Sequence, residues 1–420
     1  MVKSRRLLGR LLPVIALFSA KAMALPYASL DAYGFSMGGT SVAHGTGANA
    51  GYYNPALLTI TGQVDDVSFM AGVRSADKDK VLDALASYQE NGLEADYEVA
   101  LNDFSGGVST GRQDVFDTAT ALRNQLVLLA NKPIQKEYLY GVVIAIPNQK
   151  LDMSLTIDRR EVGGAIINTT TNDLDELQTM IDKASDGTLV STELFYPSEL
   201  TSHMSGSGVI MNEIGLSMAR EVKLAGHDVA LGITPKLIMA TSFDYAVRVN
   251  DAGYDSSLGQ KNQTAIDVDL GAIKQFNNGW TAGLAIKNLF GQKYNTQPYV
   301  DPILLNLGVS VPPDTLKVKP QARIGASHTI GWTTVALDLD LNESESFGYD
   351  SKTQYLAFGA ELNLFEMASL RIGYRHNMSD ASTSIATVGI GMTVFGAQLD
   401  LAAGANVDEI NFAAQLGLQF

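Results

Sequence analysis

The sequence predicts an all-β membrane protein: a 14-stranded antiparallel β-barrel of the bacterial outer membrane, with an N-terminal plug and helical extracellular loops. Three observations support this prediction. A secretory signal begins the chain, a strand with one apolar face ends it, and the strands between have connections that alternate in length. Barrels of this class have an even number of strands, short periplasmic turns and longer outer loops.

The first 24 residues have the features of a secretory signal peptide. Basic residues precede an apolar run from Leu11 to Ala20, and Ala22-Met23-Ala24 is a small-x-small cleavage site. The run is too short to cross a bilayer as a helix, which needs about 20 residues. We predict that residues 1–24 are a signal cleaved after Ala24, with an uncleaved anchor as the alternative.

Composition limits the partners and the chemistry of the chain. It has 420 residues, a net charge of -15 and no cysteine. Removing the signal takes away five basic residues and no acidic one, which leaves -20 and argues against nucleic acid as a partner. Without cysteine there is no disulfide, no thiol redox chemistry and no lipid-modified N-terminal cysteine.

Residues 25–60 precede the first predicted strand and do not alternate in polarity. Six glycines make this stretch compact and turn-rich. Apolar side chains such as Phe35, Met37 and Val42 argue against a solvated leader. We predict a plug, or hatch, over residues 25–60 that folds inside the base of a barrel formed by residues 61–420.

Fourteen segments of alternating polarity follow the plug, each long enough for a tilted membrane strand. They are residues 64–74, 136–147, 149–159, 208–221, 228–241, 263–275, 279–290, 319–329, 332–342, 353–364, 368–377, 383–394, 397–406 and 409–420. Strand side chains alternate between two faces. The apolar face should therefore contact lipid, and the face that carries residues such as Asp267, Asp269, Asp338 and Asp340 should line the lumen.

The last segment alternates most regularly. One face carries Ile410, Phe412, Ala414, Leu416, Leu418 and Phe420, and the other carries small or polar residues. A terminal aromatic residue on a closing strand is typical of outer-membrane barrels. We therefore predict that Phe420 is the signal read by the barrel assembly machinery.

The connections after even-numbered strands are short, and most of those after odd-numbered strands are long. With a periplasmic N-terminus, the long set lies outside the cell. Two long loops, residues 75–135 and 160–207, contain helical spacing of apolar residues at 80–88, 114–129 and 173–183. Their apolar faces either pack on one another or frame an apolar access groove.

The plug resembles a known family. The stretch from Tyr33 to Ala43, followed by Asn54-Pro55-Ala56-Leu57, resembles the hatch of the FadL-like long-chain fatty acid outer-membrane transporters. This resemblance implies a fourteen-stranded barrel and passage of hydrophobic compounds through a lateral opening in its wall. Within that superfamily the chain is most similar to the conjugal transfer TraF-like barrels, in Ala285 to Leu289, Arg323 to His328 and Leu370 to Arg375.

The candidate site residues lie in the plug. They are the motif residues Asn54, Pro55 and Ala56 and the glycines Gly38 and Gly39. Proline sets φ and lacks an N–H donor, while asparagine bonds to neighbouring backbone. The motif either makes a plain turn into the first strand or holds the plug in a shape that rearranges during passage.

The other polar residues favour structure over catalysis. His44, His203, His227, His328 and His376 have no metal-ligand spacing, so no metal or cofactor is predicted. His203-Met204-Ser205 is interpreted as a turn, and residues 250–255 as a loop near lipopolysaccharide.

Charged strand residues should avoid lipid. We therefore expect Lys287, Arg323, Arg371 and Arg375 to face the lumen or lie at its rim. Arg323 and Arg371 are expected to pair with Asp338 or Glu361.

These observations predict a monomeric barrel in outer-membrane lipid and lipopolysaccharide that takes up a hydrophobic small molecule passively and is not an enzyme. The alternative is a non-transporting surface or conjugation-associated protein whose helical loops dock another protein. An apolar cavity running from the loops to the plug would favour uptake. A filled or polar lumen with an exposed apolar patch on the loop helices would favour docking.

Overall fold

A computed structural model describes residues 30–47, 49–60, 66–146, 151–345, 351–365 and 367–419. The predicted signal peptide, plug residues 25–29 and the predicted assembly signal Phe420 lie outside the described residues.

Fourteen strands form one closed antiparallel ring, which confirms the predicted fold, and a two-residue strand (Tyr299–Val300) adds to the same sheet by pairing in parallel with residues 245–246. They are β1 (Asp66–Asp77), β2 (Pro133–Ile146), β3 (Asp152–Asn168), β4 (His203–Leu224), β5 (His227–Arg248), β6 (Lys261–Gln275), β7 (Trp280–Lys287), β8 (Gln321–Ile330), β9 (Thr333–Asp340), β10 (Tyr355–Leu364), β11 (Ala368–Asn377), β12 (Ile385–Val394), β13 (Ala397–Ala405) and β14 (Glu409–Gln419). Each strand pairs with its neighbours in the chain. Pairing of β1 with β14, from Asp66 opposite Gln419 to Ala76 opposite Glu409, closes the ring.

The two faces of the sheet differ as the alternation predicts. In β14 the side chains of Asn411 and Gln415 are buried, while those of Phe412 and Leu416 are exposed. A ring of exposed aromatic side chains marks the end of the barrel with short turns: Phe276, Trp280, Trp332, Phe365 and Phe395. An apolar belt bordered by aromatic residues is the surface that a membrane-embedded barrel presents to lipid.

The predicted alternation of connections is also present. Connections after even-numbered strands have at most five residues, and those after β1, β3, β5, β7 and β9 have twelve or more. In the two-residue turn after β12, Phe395 and Gly396 have φ values of 50° and 82°. Positive φ at both positions is the type I′ geometry, whose twist suits a tight hairpin.

Four helices outside the ring form a crown: α3 (Val81–Glu90), α4 (Leu93–Ser105), α5 (Gly111–Leu129) and α6 (Thr171–Asp186). The sequence predicts α3, α5 and α6 but not α4. Their apolar faces pack on one another and on Phe243 and Tyr245 of β5, which is the first of the two predicted alternatives. This core explains why β4 and β5 extend to 22 residues, well beyond their predicted lengths. None of the described helices has the length and apolarity needed to cross a bilayer.

The described plug residues, 30–47 and 49–60, lie inside the ring. Helix α1 (Ala32–Ser36) packs against β12, β13 and β14, whereas the 3-10 helix Pro55–Thr59 packs against β4, β5 and β6. The short helix α2 (Ala50–Tyr53) lies between them and contacts β3 and β4. A segment this short can contact opposite walls of a closed barrel only from within.

Candidate functional site

The plug backbone contacts the barrel wall at glycines. A methyl group on Gly373 would lie 2.0 Å from the Gly38 nitrogen, and one on Gly283 would lie 2.5 Å from the Val42 oxygen. Glycine in a strand permits such close backbone approach. Gly38 and Gly39 have φ values of 71° and 87°, in the region that favours glycine.

The Asn54-Pro55-Ala56 motif joins two parts of the plug. The fully buried Asn54 side chain donates from Nδ2 to the Val42 oxygen at 2.8 Å, and its Oδ1 accepts from the Ala56 nitrogen at 3.1 Å. Pro55 begins the 3-10 helix, where its missing N–H has no partner to lose. The motif therefore acts as an internal clamp on the plug.

One set of buried charges attaches the plug to β8 and β9. The Arg323 guanidinium lies 2.6 Å from Asp340 and donates to the Gly39 oxygen at 2.9 Å. Asp338 accepts from the backbone N–H groups of Ser41 at 2.8 Å and Val42 at 3.1 Å. The predicted pairing of Arg323 with Asp338 is wrong. Asp340 stands opposite Arg323 in the ladder, while Asp338 stands opposite a glycine that leaves space for the plug.

A second set of charges lies between β10, β11 and β13. Arg371 bridges Glu361 at 3.1 Å, as predicted, and also Asp400 at 2.6 Å. Its guanidinium carbon lies 4.5 Å from the Tyr33 ring centre. His44 of the plug contacts the Tyr33 hydroxyl and lies 3.8 Å from Glu361. These contacts hold the first half of the plug against this side of the barrel.

The opposite side of the lumen contains a polar chamber of about 50 Å³. Side chains from β3 to β7 line it, together with Gly51 and Tyr52 of the plug: Thr156, Asp158, Arg160, Glu213, Ser217, Thr234, Lys236, Asp269 and Lys287. Lys236 lies 3.3 Å from Glu213 and 3.1 Å from Asp269. The chamber is thus a charged cavity between the wall and the plug.

An apolar lid covers the chamber. Strands Gln292–Asn295 and Thr315–Val318, in the long loop after β7, form this lid hairpin. Its buried side chains Tyr294, Leu316 and Val318 pack on a lumenal patch formed by inward residues of β3, β4 and β5: Val162, Val209, Met211, Ile238 and Ala240. The sequence does not predict the hairpin, because four-residue strands have too few alternations to detect. It does not predict the patch either.

The lid hairpin fills a notch in the wall. β7 ends at Lys287, and Asn288 has a φ of 54°, so the chain leaves the sheet there. From residue 261 to residue 269, this edge of β6 pairs with no described strand. Side chains replace the ladder: Gln292 Nε2 donates to the Ile266 oxygen at 2.8 Å, and Gln263 Oε1 accepts from the Asn295 nitrogen at 3.0 Å. Next to this edge of β6 the wall is therefore closed by side-chain contacts and by one backbone hydrogen bond, from the Leu289 nitrogen to the Val268 oxygen at 2.9 Å.

A second concavity lies on the lipid-facing side, across β11 to β14, β1 and β2. This outer groove has a volume of about 1030 Å³. Small residues form its floor (Ala71, Ala403 and Ala414), and larger ones its rim (Tyr138, Tyr140, Ile372, Val388 and Phe412). Behind it the sheet is continuously paired, so the described wall has no lateral opening at this position.

Outside the membrane-spanning part, burial raises the pKa of the Glu94 carboxyl in the crown. A hydrogen bond that the Tyr88 hydroxyl donates to it at 2.7 Å acts in the opposite direction. Burial also raises the pKa of Tyr88.

Two solved structures with a similar fold are named as a hydrocarbon channel and a toluene transporter. The chain is 10% identical to a monoaromatic hydrocarbon channel, the TodX deltaS2S3 mutant, with a TM-score of 0.53 over 93% of this chain and 99% of that one. It is 11% identical to the Ralstonia pickettii toluene transporter TbuX, with a TM-score of 0.53 over 94% of this chain and 99% of that one. At these identities the likeness shows the fold alone, and that fold is the predicted barrel.

Sequence comparison is more specific. No curated protein matches the chain. A family model described as "F plasmid transfer operon, TraF, protein" matches residues 51–340, well over half of the chain, from the plug to the end of β9. The predicted similarity to TraF-like barrels is therefore confirmed, and the chain belongs to this TraF family.

Proposed function

We propose that this barrel is a gated passage for hydrophobic small molecules, with the lumenal patch as the binding site and the lid hairpin as its gate. The observation that supports this most directly is that a strongly apolar part of the described lumen is covered by an element held to the wall through side chains. The names of the structurally similar channels agree with this class of substrate.

In the closed state the lid occupies the position of the ligand. Tyr294, Leu316 and Val318 cover the patch, and burying each such side chain contributes about 1.5 to 3 kcal/mol. A ligand must supply a comparable apolar surface to displace them. Outward movement of the lid would expose the patch through the notch between β6 and β8. Because β7 stops at Lys287, no pairing of β7 with β6 or β8 has to break above that residue, and Tyr299 and Val300 anchor the same loop to β5.

The plug closes the other end of the route. Hydrogen bonds from Asn54 and contacts of Arg323 and Asp338 hold it in place. Passage would require it to rearrange, in agreement with the role predicted for the Asn54-Pro55-Ala56 motif.

Binding of toluene and of long-chain fatty acids to the purified, detergent-folded barrel tests the proposal. Leu316→Ala should weaken lid closure by about 2 to 5 kcal/mol, the cost of such a core truncation, and so tighten apparent binding. Leu305→Ala is the matched control, because this leucine of the same loop is exposed. Ile238→Asn should weaken binding whatever the state of the lid. Binding that responds to neither Leu316→Ala nor Ile238→Asn would place the site elsewhere.

A second candidate function is docking of another protein, and the filled lumen is the observation that favours it. On the outside, α7 (Pro302–Asn306) and the residue that follows it expose Ile303, Leu305 and Leu307. If docking is the function, Leu305→Asp should reduce conjugative transfer from cells that depend on this chain, while Val190→Asp, at an exposed crown loop, should not. Absence of saturable ligand binding across the panel would also favour docking over uptake.

A further inference from the structure

The outer groove leads across the lipid-facing wall. Tyr138 and Tyr140 of β2 form one edge, and Leu370 lies at the other, as the third residue of β11 counted from the end with short turns. Its volume of about 1030 Å³ is comparable with the larger ligand sites of proteins, which usually measure about 300 to 1000 Å³. The groove is therefore large enough to hold part of a membrane lipid.

The outward residues of β3 show where the apolar belt ends. Counted from the end with short turns, the first three are apolar: Met153, Leu155 and Ile157. The next is Arg159, which stands directly opposite Tyr140 in the ladder. Tyrosine is enriched where a membrane meets water. Arg159 and the tyrosine edge of the groove therefore lie at the level of the lipid head groups, on the side of the long loops and the crown.

Arg159 has donors to offer to a lipid head group. Its side chain is 47% exposed, and its guanidinium lies 3.4 Å from Asn212 Oδ1 and 3.8 Å from the Glu161 carboxylate. Both distances exceed the usual range of about 2.7 to 3.2 Å for an N–H···O hydrogen bond. The largely buried Glu161 also accepts a hydrogen bond from the Tyr254 hydroxyl at 3.2 Å. Because a guanidinium has five N–H donors in an arrangement that fits a phosphate, Arg159 retains donors for one.

Lys136 adds a second positive charge beside the groove. It lies two residues before Tyr138 on the same face of β2, and its Nζ donates to Ser75 Oγ at 2.7 Å. The chain as a whole has a net charge of -15, which repels anionic lipids. Positive charge at the head-group end of an apolar groove is complementary to a lipid that combines acyl chains with phosphate.

We propose that the outer groove binds one molecule of lipopolysaccharide through its lipid A part, with an acyl chain along the floor and a phosphate at Arg159 and Lys136. Lipid A carries several acyl chains and phosphates, and it belongs to the outer leaflet, the level at which both cations lie. Within lipid, association is driven by van der Waals packing and polar contacts. A groove with Ala71 and Ala414 in its floor contacts an acyl chain from several sides, whereas a convex wall contacts it from one. The site is separate from the lumenal patch, so it does not depend on the proposed passage.

Native mass spectrometry of the full-length, detergent-folded barrel with added diphosphoryl lipid A tests the proposal. Phosphatidylglycerol is the comparison lipid, because it also combines a phosphate with acyl chains but has a different head group. We expect saturable binding of one lipid A molecule and clearly weaker binding of phosphatidylglycerol.

Two variants test the two parts of the site. Arg159→Gln should weaken lipid A binding roughly tenfold or more, the effect of losing one hydrogen bond to a charged group. Arg112→Gln, at an exposed crown position, is the control with the same change in charge. Ala414→Phe should fill the floor and also weaken binding, whereas Ala326→Phe, on the outward face of β8 and outside the groove, should not. The substituted side chains point away from the lumen, so we expect each variant to fold with a Tm close to that of the wild type.

Three outcomes would overturn the proposal. Equal affinity for phosphatidylglycerol would mean that the groove does not select lipid A. Undiminished lipid A binding in Arg159→Gln or in Ala414→Phe would place the lipid elsewhere on the wall. A dimer that Ala414→Phe abolishes, in place of a lipid adduct, would make the groove an interface between two copies of the chain.

Discussion

Replacing Asn54 with alanine tests how the plug is held together. The substitution removes the bond from Nδ2 to the Val42 oxygen and the bond from the Ala56 nitrogen to Oδ1. Val42 and Ala56 are fully buried, so both backbone groups lose their side-chain partner in a place that bulk water does not reach. Each buried group left without a partner costs about 1 to 3 kcal/mol.

With both partners lost, local opening of the plug should become easier by about 2 to 4 kcal/mol. This is less than twice the largest single cost, because relaxation of the surrounding structure relieves part of it. This corresponds to a roughly 30- to 700-fold loss of amide protection, at tenfold per 1.4 kcal/mol. Hydrogen exchange followed by mass spectrometry on the detergent-folded barrel measures it directly. The loss should be confined to peptides from residues 30–60, while protection of β12 to β14 stays as in the wild type.

Asn54→Asp separates the two bonds, because it retains the acceptor for the Ala56 nitrogen and loses the donor to the Val42 oxygen. Asn306→Ala, at an exposed position of α7, is the control. If plug peptides exchange at the wild-type rate in Asn54→Ala, the motif does not clamp the plug and the reasoning fails.

Three further predictions follow from the same structure. Gly373→Ala should prevent the plug from packing against the wall and lower the Tm, because the new methyl would lie 2.0 Å from the Gly38 nitrogen. Gly417→Ala is the control and should be tolerated, since the nearest atom to its new methyl would lie at 3.7 Å. Equal Tm values for the two variants would contradict the close contact. Arg371→Ala should destabilise the barrel by about 3 to 5 kcal/mol in urea unfolding, because it leaves two buried carboxylates without their ion-pair partner. An effect below about 1 kcal/mol, the usual contribution of an exposed ion pair, would be inconsistent with this prediction. The raised pKa of Glu94 means that the folded crown binds a proton more tightly than the unfolded chain does. Crown resistance to proteolysis should therefore increase as the pH falls from neutral through that pKa, and Glu94→Gln should remove this dependence. A wild-type crown that becomes easier to cleave over that pH range would refute the prediction.

The candidate site was only partly predictable. Gly38, Gly39 and Asn54 could be selected because glycine clusters and Asn-Pro turns have local backbone signatures. The partner of Arg323 could not, since Asp338 and Asp340 lie on the same face of β9 and only the ladder register decides between them. The polar chamber depends on Asp158 and Glu213 being opposite each other across two strands 55 positions apart in the chain. The lid hairpin depends on an apolar patch assembled from three other strands.

The sequence by itself determined the barrel: the number of strands, the face each one turns to lipid and the side on which the long loops lie. It could do so because lipid on one side of a sheet requires apolar residues at every second position, and this pattern is local. The tertiary structure alone decided where the plug contacts the wall, which charges pair, where β7 stops short and what covers the lumenal patch. Those features arise from residues distant in the chain that meet only after the ring has closed.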